Sequence, residues 1–483
     1  MSAMETTWET VIGLEVHVEL DTATKLFCGC PNRFGSEPNT NVCPVCLGLP
    51  GSLPVINERA VEHAARVGLA LDCDVRPSVF ARKNYFYPDM PKDYQVTQFD
   101  LPIDIAGHLD LPSGQRIGIT RAHIEEDTGK STHVGESGRI HGADFSLVDY
   151  NRAGVPLLEI VSEPDLRSAE AAREYVAELR SVLLAVGASD AKMEEGSMRV
   201  DANVSVRPSP DAPFGTRCEI KNLNSLRSLG RAIDYEVRRQ IDALEAGDSI
   251  VQETRHWDEE AGRTRAGRRK EEADDYRYFR EPDLVPLEPE PAWLDAIRAA
   301  LPALPAARRS ALADAAGVAV TTPAVALLVE RHQDELALAA IAASGEAARV
   351  LTHVEHDIAA ELSASFSPDA LAGVVRLEAT GAVTATQAKK LLDVIVERGG
   401  AGDPVALAAE LGFEAMGGDE LEAVVDEAIA ANGAAWDKVL AGNDKAIGAI
   451  TGHVMKATKG KADGRAIAAA LAARREAAAG TSA

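Results

Sequence analysis

A chain of 483 residues is too long for one typical hydrophobic core, so two to four domains are expected. A net charge of −25 excludes nucleic-acid binding by bulk attraction and leaves that role to local basic patches. No apolar run reaches the roughly 18 residues a membrane span needs, and Met1–Glu5 lack the basic and apolar regions of a signal peptide. The expected compartment is the cytoplasm, where thiols stay reduced.

The first predicted element is a strand over Thr10–Leu20. Ile12, Leu14, Val16, Val18 and Leu20 share one face, and Gly13, Glu15, His17 and Glu19 the other. Two carboxylates flanking an imidazole on a rigid strand suit a hard cation. Cys28 and Cys30 come next, then Cys43 and Cys46. Two close pairs on loops have the spacing of a tetrahedral thiolate site, and four thiolates close the coordination sphere of a structural Zn2+. Cys73 and Cys218 stand alone in apolar or strand-like sequence and read as buried and inert. The loop from Arg82 to Gln95 interleaves three tyrosines and Phe86 with Arg82, Lys83 and Lys92. It suits either a clamp for a nucleotide or tRNA end, or a loop whose tyrosine hydroxyls are satisfied locally.

Alternation resumes at Ile117 and runs into the acidic cluster Glu125, Glu126 and Asp127. The stretch Val155–Glu163 sets Glu159 in apolar strand sequence. Ser168 precedes a helix carrying Tyr175, Val176, Leu179, Val182, Leu183 and Leu184. Val200, Ala202, Val204 and Val206 alternate with Arg199, Asp201, Asn203, Ser205 and Arg207. Cys218 and Ile220 alternate with Arg217, Glu219 and Lys221. Asn224 is the expected N-cap of a helix whose stripe is Leu226, Leu229, Ile233, Val237, Ile241 and Leu244. A merely wetted sheet face favours Lys, Thr, Ser and Gln. Here Glu, His, Asp, Asn and Arg recur, the composition of a concave site for Mg2+ and phosphates.

The proline cluster between Pro282 and Pro291 reads as a boundary, and the sequence beyond it is Ala-rich with helical period. A second change falls near Gly400–Pro404. The expected architecture is α+β: a large antiparallel-sheet cradle over residues 1–291, an all-helical middle domain over 292–402, and a small helical tail domain over 403–483. The stretch 445–475 is net +6 in an acidic chain. No Walker A motif, dinucleotide fingerprint or Gly-x-Ser-x-Gly elbow is present, so any ATP would be held by the sheet-borne acidic site with basic helpers.

Taken together, Val11–Leu20, Arg82–Asp89, His123–Asp127, Leu158–Asp165, Lys192–Asn203 and Lys221–Ser225 resemble the GatB family, the B subunits of aspartyl/glutamyl-tRNA(Asn/Gln) amidotransferases. The resemblance is dense, ordered and nearly full length. It implies an ATP-dependent carbon–nitrogen ligase. Such an enzyme phosphorylates the side-chain carboxylate of Glu-tRNA(Gln) or Asp-tRNA(Asn) and then amidates it. The ammonia comes through a channel from an amidase-type glutaminase partner, and a small third polypeptide completes a heterotrimer. The resemblance carries Mg2+ ligation to Glu15, His17, Glu126 and Glu159; spacing does not separate Glu126 from Glu125. It carries catalytic or substrate roles to Lys83, Arg199, Asp201 and Asn203, and phosphate contact to Arg82 and Lys83. It carries tRNA contact to the tail cations Lys456, Lys459, Lys461 and Arg465. Two other readings are a non-catalytic tRNA-binding scaffold and a zinc hydrolase. The second is disfavoured because a four-cysteine site has no vacant ligand position.

Overall fold

The computed structural model describes residues 8–135, 143–267, 276–413, 418–458, 462 and 464–480. Two compact units divide at Ala306.

Unit one is built on a sheet of twelve strands among the described residues. In chain order these are β1 (Glu9–Glu19), β2 (Asp74–Val75), β3 (Ala81–Asn84), β4 (Tyr94–Thr97), β5 (Asp104–Asp110) and β6 (Arg116–Glu126). A separate hairpin comes next, β7 (Lys130–Val134) with β8 (Phe145–Asp149). The sheet continues with β9 (Pro156–Ser162), β10 (Met198–Arg207), β11 (Cys218–Leu223), β12 (Thr254–Asp258), β13 (Arg263–Ala266) and β14 (Phe279–Arg280). Their lateral order is β13-β12-β11-β10-β1-β9-β6-β4-β3-β14, with β5 also on β6 and β2 on β5. All pairings are antiparallel except β11 with β12.

β1 lies at the centre, and its period of two is realised as expected. Ile12, Leu14, Val16 and Val18 are fully buried beneath the helices, each contributing about 1.5–3 kcal/mol of apolar transfer energy. Those helices are α1 (Glu58–Ala70), α2 (Ala169–Ala185) and α3 (Leu226–Glu245). Ser168 caps α2 through its hydroxyl, as its position predicts. The cap of α3 is Ser225, not Asn224: the Ser225 hydroxyl accepts from the Ser228 amide. The polar faces of the strands are left uncovered by these helices, and there the site forms.

The proline cluster and the helix that follows it still belong to unit one. Leu284 and Leu287 pack against its core, and Leu287 bridges to Ser78 through backbone hydrogen bonds. The helix Pro291–Ala300 buries Ile297 against Ala65 and Leu69 of α1. The prolines therefore punctuate a packed segment.

Unit two is helical and, among the described residues, holds two separate apolar clusters. One runs from Leu312 to Ala408, so the helix Pro404–Glu410 joins the middle cluster through Leu407 and Ala408. The other gathers Leu421, Val425, Ile450, Val454, Ile467 and Leu471. In the first cluster His353 is buried with Nδ1 2.8 Å from Asp357 and Nε2 2.8 Å from Glu378. No helix among the described residues is long and apolar enough to cross a membrane.

Candidate active site

Antiparallel register brings the polar residues into cross-strand rungs. His123 of β6 stands opposite Glu159 of β9, Glu159 opposite His17 of β1, and His17 opposite Arg199 of β10. The next rung places Glu15 opposite Asp201. Because side chains on one face of facing strands lie about 5 Å apart, a rung is already a cluster of charges. Ligand atoms of Glu15, His17 and Glu159 lie within 4.8 Å of one another, as do those of His123, Glu125 and Glu159. His17 Nδ1 is 3.3 Å from Glu125, and His123 Nε2 is 3.4 Å from Glu159. These groups line an open cleft of about 1540 Å³, together with Lys83, Arg121, Arg152, Arg199 and Lys221.

The electrostatics come from this crowding. Burial pulls the His17 imidazole down, but the bond to Glu125 and the charges of Glu159, Glu125 and Asp201 outweigh it and raise its pKa to about 9. Burial pushes Glu159 up, and His123, His17, Arg121 and Lys83 more than reverse that, holding it ionised well below the usual range. His123, in contrast, is lowered by burial. Asp127 is buried yet depressed, since Arg199 and Arg152 both face it, Arg199 at 2.9 Å.

Behind the sheet, the four cysteines form the expected cluster: all are free thiols, with their sulfurs within 4.8 Å of one another. The Cys43 and Cys46 sulfurs are 3.9 Å apart, near the edge of about 3.8 Å of a tetrahedron with 2.3 Å zinc–sulfur bonds. The cluster fits a structural Zn2+. It ties the loops between β1 and α1, where the Lys25 amide donates to the Cys30 carbonyl.

A GatB/GatE catalytic domain model matches residues 10–295, and a GatB domain model matches residues 328–474. The B subunit of the aspartyl/glutamyl-tRNA(Asn/Gln) amidotransferase of Nocardia farcinica is 50% identical, covering 94% of each chain. Its counterpart in Frankia casuarinae is 50% identical over 95% of this chain and 94% of its own. That of Thermobifida fusca is 48% identical over 94% and 92%. The chain belongs to the GatB family of aspartyl/glutamyl-tRNA(Asn/Gln) amidotransferases. Membership makes it part of a ligase-type enzyme, which removes the zinc-hydrolase reading.

In this GatB family member, the residues singled out from sequence divide into three groups. Glu15, His17, Glu159, Lys83, Arg199, Asp201 and Asn203 are gathered on the polar face. Asn203 donates to Glu15 at 2.9 Å, and Lys83 stands 4.6 Å over the Tyr276 ring. Two others face away from the cleft. Glu126 points through the opposite face, where it is buried, accepts from the Val96 amide at 2.9 Å and pairs with Lys92 at 2.5 Å. Its neighbour Glu125 occupies the position expected of it, since successive strand residues face opposite sides. Arg82 is engaged by Glu281 at 2.6 Å and Asp283 at 3.2 Å and lies over the Tyr94 ring. The third group is in the tail. Lys456 is exposed; Lys459 and Lys461 lie outside the described residues, as does the Arg465 side chain. Arg474 pairs with Asp426 and Glu422, and Arg475 with Asp444, so part of the tail's positive charge is neutralised, in both cases by acids outside 445–475.

Sequence reading did not single out His123, Arg121, Arg152, Glu219, Lys221 and Tyr278 as site residues. For His123 and Arg121 a signal existed: they share the alternating face of β6 with Glu125. Tyr278 had none, because its segment reaches the cleft by tertiary packing, its ring stacking on Phe99 at 3.8 Å.

Proposed function

We propose that this cleft performs the ATP- and Mg2+-dependent amidation of a misacylated tRNA. The supporting observation is the convergence of Glu15, His17, Glu125 and Glu159 on one pleated face, ringed by Lys83, Arg121, Arg199 and Lys221. Carboxylate oxygens with one imidazole suit Mg2+, and the buried His123, whose Nδ1 has no hydrogen-bond partner among the described residues, adjoins them. Bound there, Mg2+ would neutralise charge on the transferring phosphoryl group.

In the reaction, an oxygen of the substrate side-chain carboxylate attacks the γ-phosphorus of ATP, and the bond to the departing ADP oxygen breaks. Ammonia then attacks the activated acyl carbon, inorganic phosphate leaves, and the nitrogen sheds a proton to give Gln-tRNA(Gln) or Asn-tRNA(Asn). Lys83 and Arg121 are assigned to the ATP phosphates. The contact expected of Arg82 passes to them, since Glu281 and Asp283 already hold that guanidinium. Asn203 orients Glu15, and Asp127 orients Arg199. Ammonia is supplied by an amidase-type glutaminase partner, with a small third polypeptide completing the heterotrimer. The basic tail meets the tRNA backbone.

Glu159→Gln in the assembled complex tests this, because it keeps volume and removes charge. Expected are normal assembly and tRNA binding, with neither ATP cleavage nor amide formation even when free ammonia replaces glutamine. Near-normal amidation with ammonia would instead favour a non-catalytic scaffold.

A further inference from the structure

The connection that leaves β8 is tied down by a distant part of the chain. Asn39, whose backbone is left-handed with a φ of 59°, donates its amide N–H to Asp149 Oδ1 at 2.9 Å and its Nδ2 to the Val148 carbonyl at 3.1 Å. Its Oδ1 accepts from the Tyr150 amide at 2.8 Å. Asn151 reciprocates: its Oδ1 accepts from the Asn41 amide at 2.8 Å, and its Nδ2 donates to the Glu37 carbonyl at 2.7 Å. Each asparagine thus bonds the other segment's backbone as both donor and acceptor, as a paired strand would. The buried Lys25 adds a bond from Nζ to the Tyr150 carbonyl at 3.1 Å.

One side of this clasp lies between Cys30 and Cys43, so the cysteine cluster anchors it at both ends. The other side leads to Arg152, which lines the cleft. β8 stops at Asp149 and β9 starts at Pro156, so the backbone that carries Arg152 lies outside both strands and relies on such bonds for its place. Arg152 Nε donates to the Thr128 carbonyl at 3.0 Å and Nη2 to the Gly129 carbonyl at 3.2 Å. Its guanidinium lies 3.3 Å from Asp127, the acid that also holds Arg199. These contacts fix the guanidinium plane, whereas Nη1 forms no hydrogen bond among the described residues, and the side chain is 34% exposed. A planar fork held along one edge and free on the other suits an oxyanion.

Resting on the reading of the cleft given above, we propose that Asn39 and Asn151 are positioning residues for the reaction. Their clasp holds Arg152 at the wall of the cleft, where its Nη1 donates to a phosphate oxygen of a bound substrate, either ATP or the tRNA end. Displacing such a group by about 1 Å can cost about 100-fold in rate, so the hold on its backbone matters as much as the charge itself. The loop between the cysteine pairs therefore sets a substrate contact on the far side of the clasp, in addition to supporting the fold around β1 and α1.

The test is amidation with free ammonia in the assembled complex, with KM measured separately for ATP and for misacylated tRNA. Asn39→Gly removes the side-chain half of the clasp and keeps the left-handed turn without strain. It should raise one of the two KM values about tenfold, with a smaller fall in kcat, while zinc content and urea midpoint stay those of wild type. Arg152→Ala should raise the same KM about 100-fold, and which KM responds identifies the source of the phosphate. The double variant should be no worse than Arg152→Ala, because Asn39 acts through that arginine. Asn151→Ala opens the other half of the clasp and should raise the same KM, which covers the case in which the glycine variant fails to fold. The proposal is overturned if Arg152→Ala changes neither KM, if the effects of Asn39→Gly and Arg152→Ala multiply, or if the clasp variants lower only zinc content and urea midpoint. Glu159→Gln, run alongside, separates the two possible failures. If it still amidates, the reading of the cleft falls and this inference with it; if it is inactive, unchanged KM values overturn this inference alone.

Discussion

Glu125 and Glu126 are neighbours in the chain with opposite surroundings, and their variants should separate accordingly. Glu125→Gln removes a charge from the cleft, 3.3 Å from His17. The expected result is loss of ATP-dependent activation with denaturation unchanged. Glu126→Gln leaves the Lys92 ammonium buried without its counter-charge. Breaking such a pair costs about 3 kcal/mol or more, so the urea midpoint of that variant should fall. Equal midpoints for the two variants would contradict the assignment of faces. Their difference also shows where sequence is legible. The alternation of β1 and β10 determines which residues share a face, and Glu15, His17, Arg199, Asp201 and Asn203 are readable from it. In β6 the same alternation selects Glu125, because it is in phase with His123. A resemblance spanning the whole motif does not carry that phase. Arg82 and Lys83 pose the same problem in β3, and only the partners Glu281 and Asp283, about two hundred residues away, settle it.

Among elements, the helices Ala347–Asp357 and Pro368–Ala379 are joined through His353, with both ring nitrogens facing carboxylates. Arg349 approaches Glu378 at 3.7 Å and Lys389 approaches Asp357 at 3.0 Å, completing the charged groups around the imidazole. Burial lowers the His353 pKa, but its bonds to Glu378 and Asp357 outweigh that and raise it. A raised folded-state value means that the stabilisation is fully present below the unfolded imidazole's pKa of about 6.5. It is lost as pH rises through the folded value. Unit two should therefore be less resistant to urea at about pH 9 than at about pH 6. His353→Gln should flatten this dependence; an unchanged slope would assign it to other groups. Helix boundaries were largely readable from capping residues, as Ser168 shows. Where two capping residues adjoin, as at Asn224 and Ser225, sequence alone does not decide between them. The extent of unit one was hidden for another reason. Prolines signal a break in hydrogen bonding, whereas Leu284, Leu287 and Ile297 decide by packing.

For the whole molecule, the charge of −25 confines any tRNA contact in this protein to discrete patches. In the tail, Arg474 and Arg475 are already paired, so phosphate contact should fall to Lys456, Lys459, Lys461 and Arg465. Truncation after Asn443 would also remove Ile450, Val454, Ile467 and Leu471 from the tail's apolar cluster, so side-chain variants are the cleaner probe. Replacing Lys456, Lys459 and Lys461 by alanine should weaken tRNA binding. It should flatten the log–log salt dependence by about one counterion for each cation removed, with glutamine hydrolysis by the complex unchanged. An unaltered salt slope would remove the tail from the interface. The cross-strand rungs have a thermodynamic consequence of their own. The candidate metal-site groups Glu219, Asp201, Glu15, His17, Glu159, His123 and Glu125 come from β11, β10, β1, β9 and β6, adjacent and without a gap. No loop can open to dismantle this site while the rest stays folded, so amide hydrogens beneath it should exchange only through cooperative unfolding of the sheet. Whatever binds across Glu15 and Glu159 fastens neighbouring strands together, and its binding free energy raises the melting point of the entire first unit.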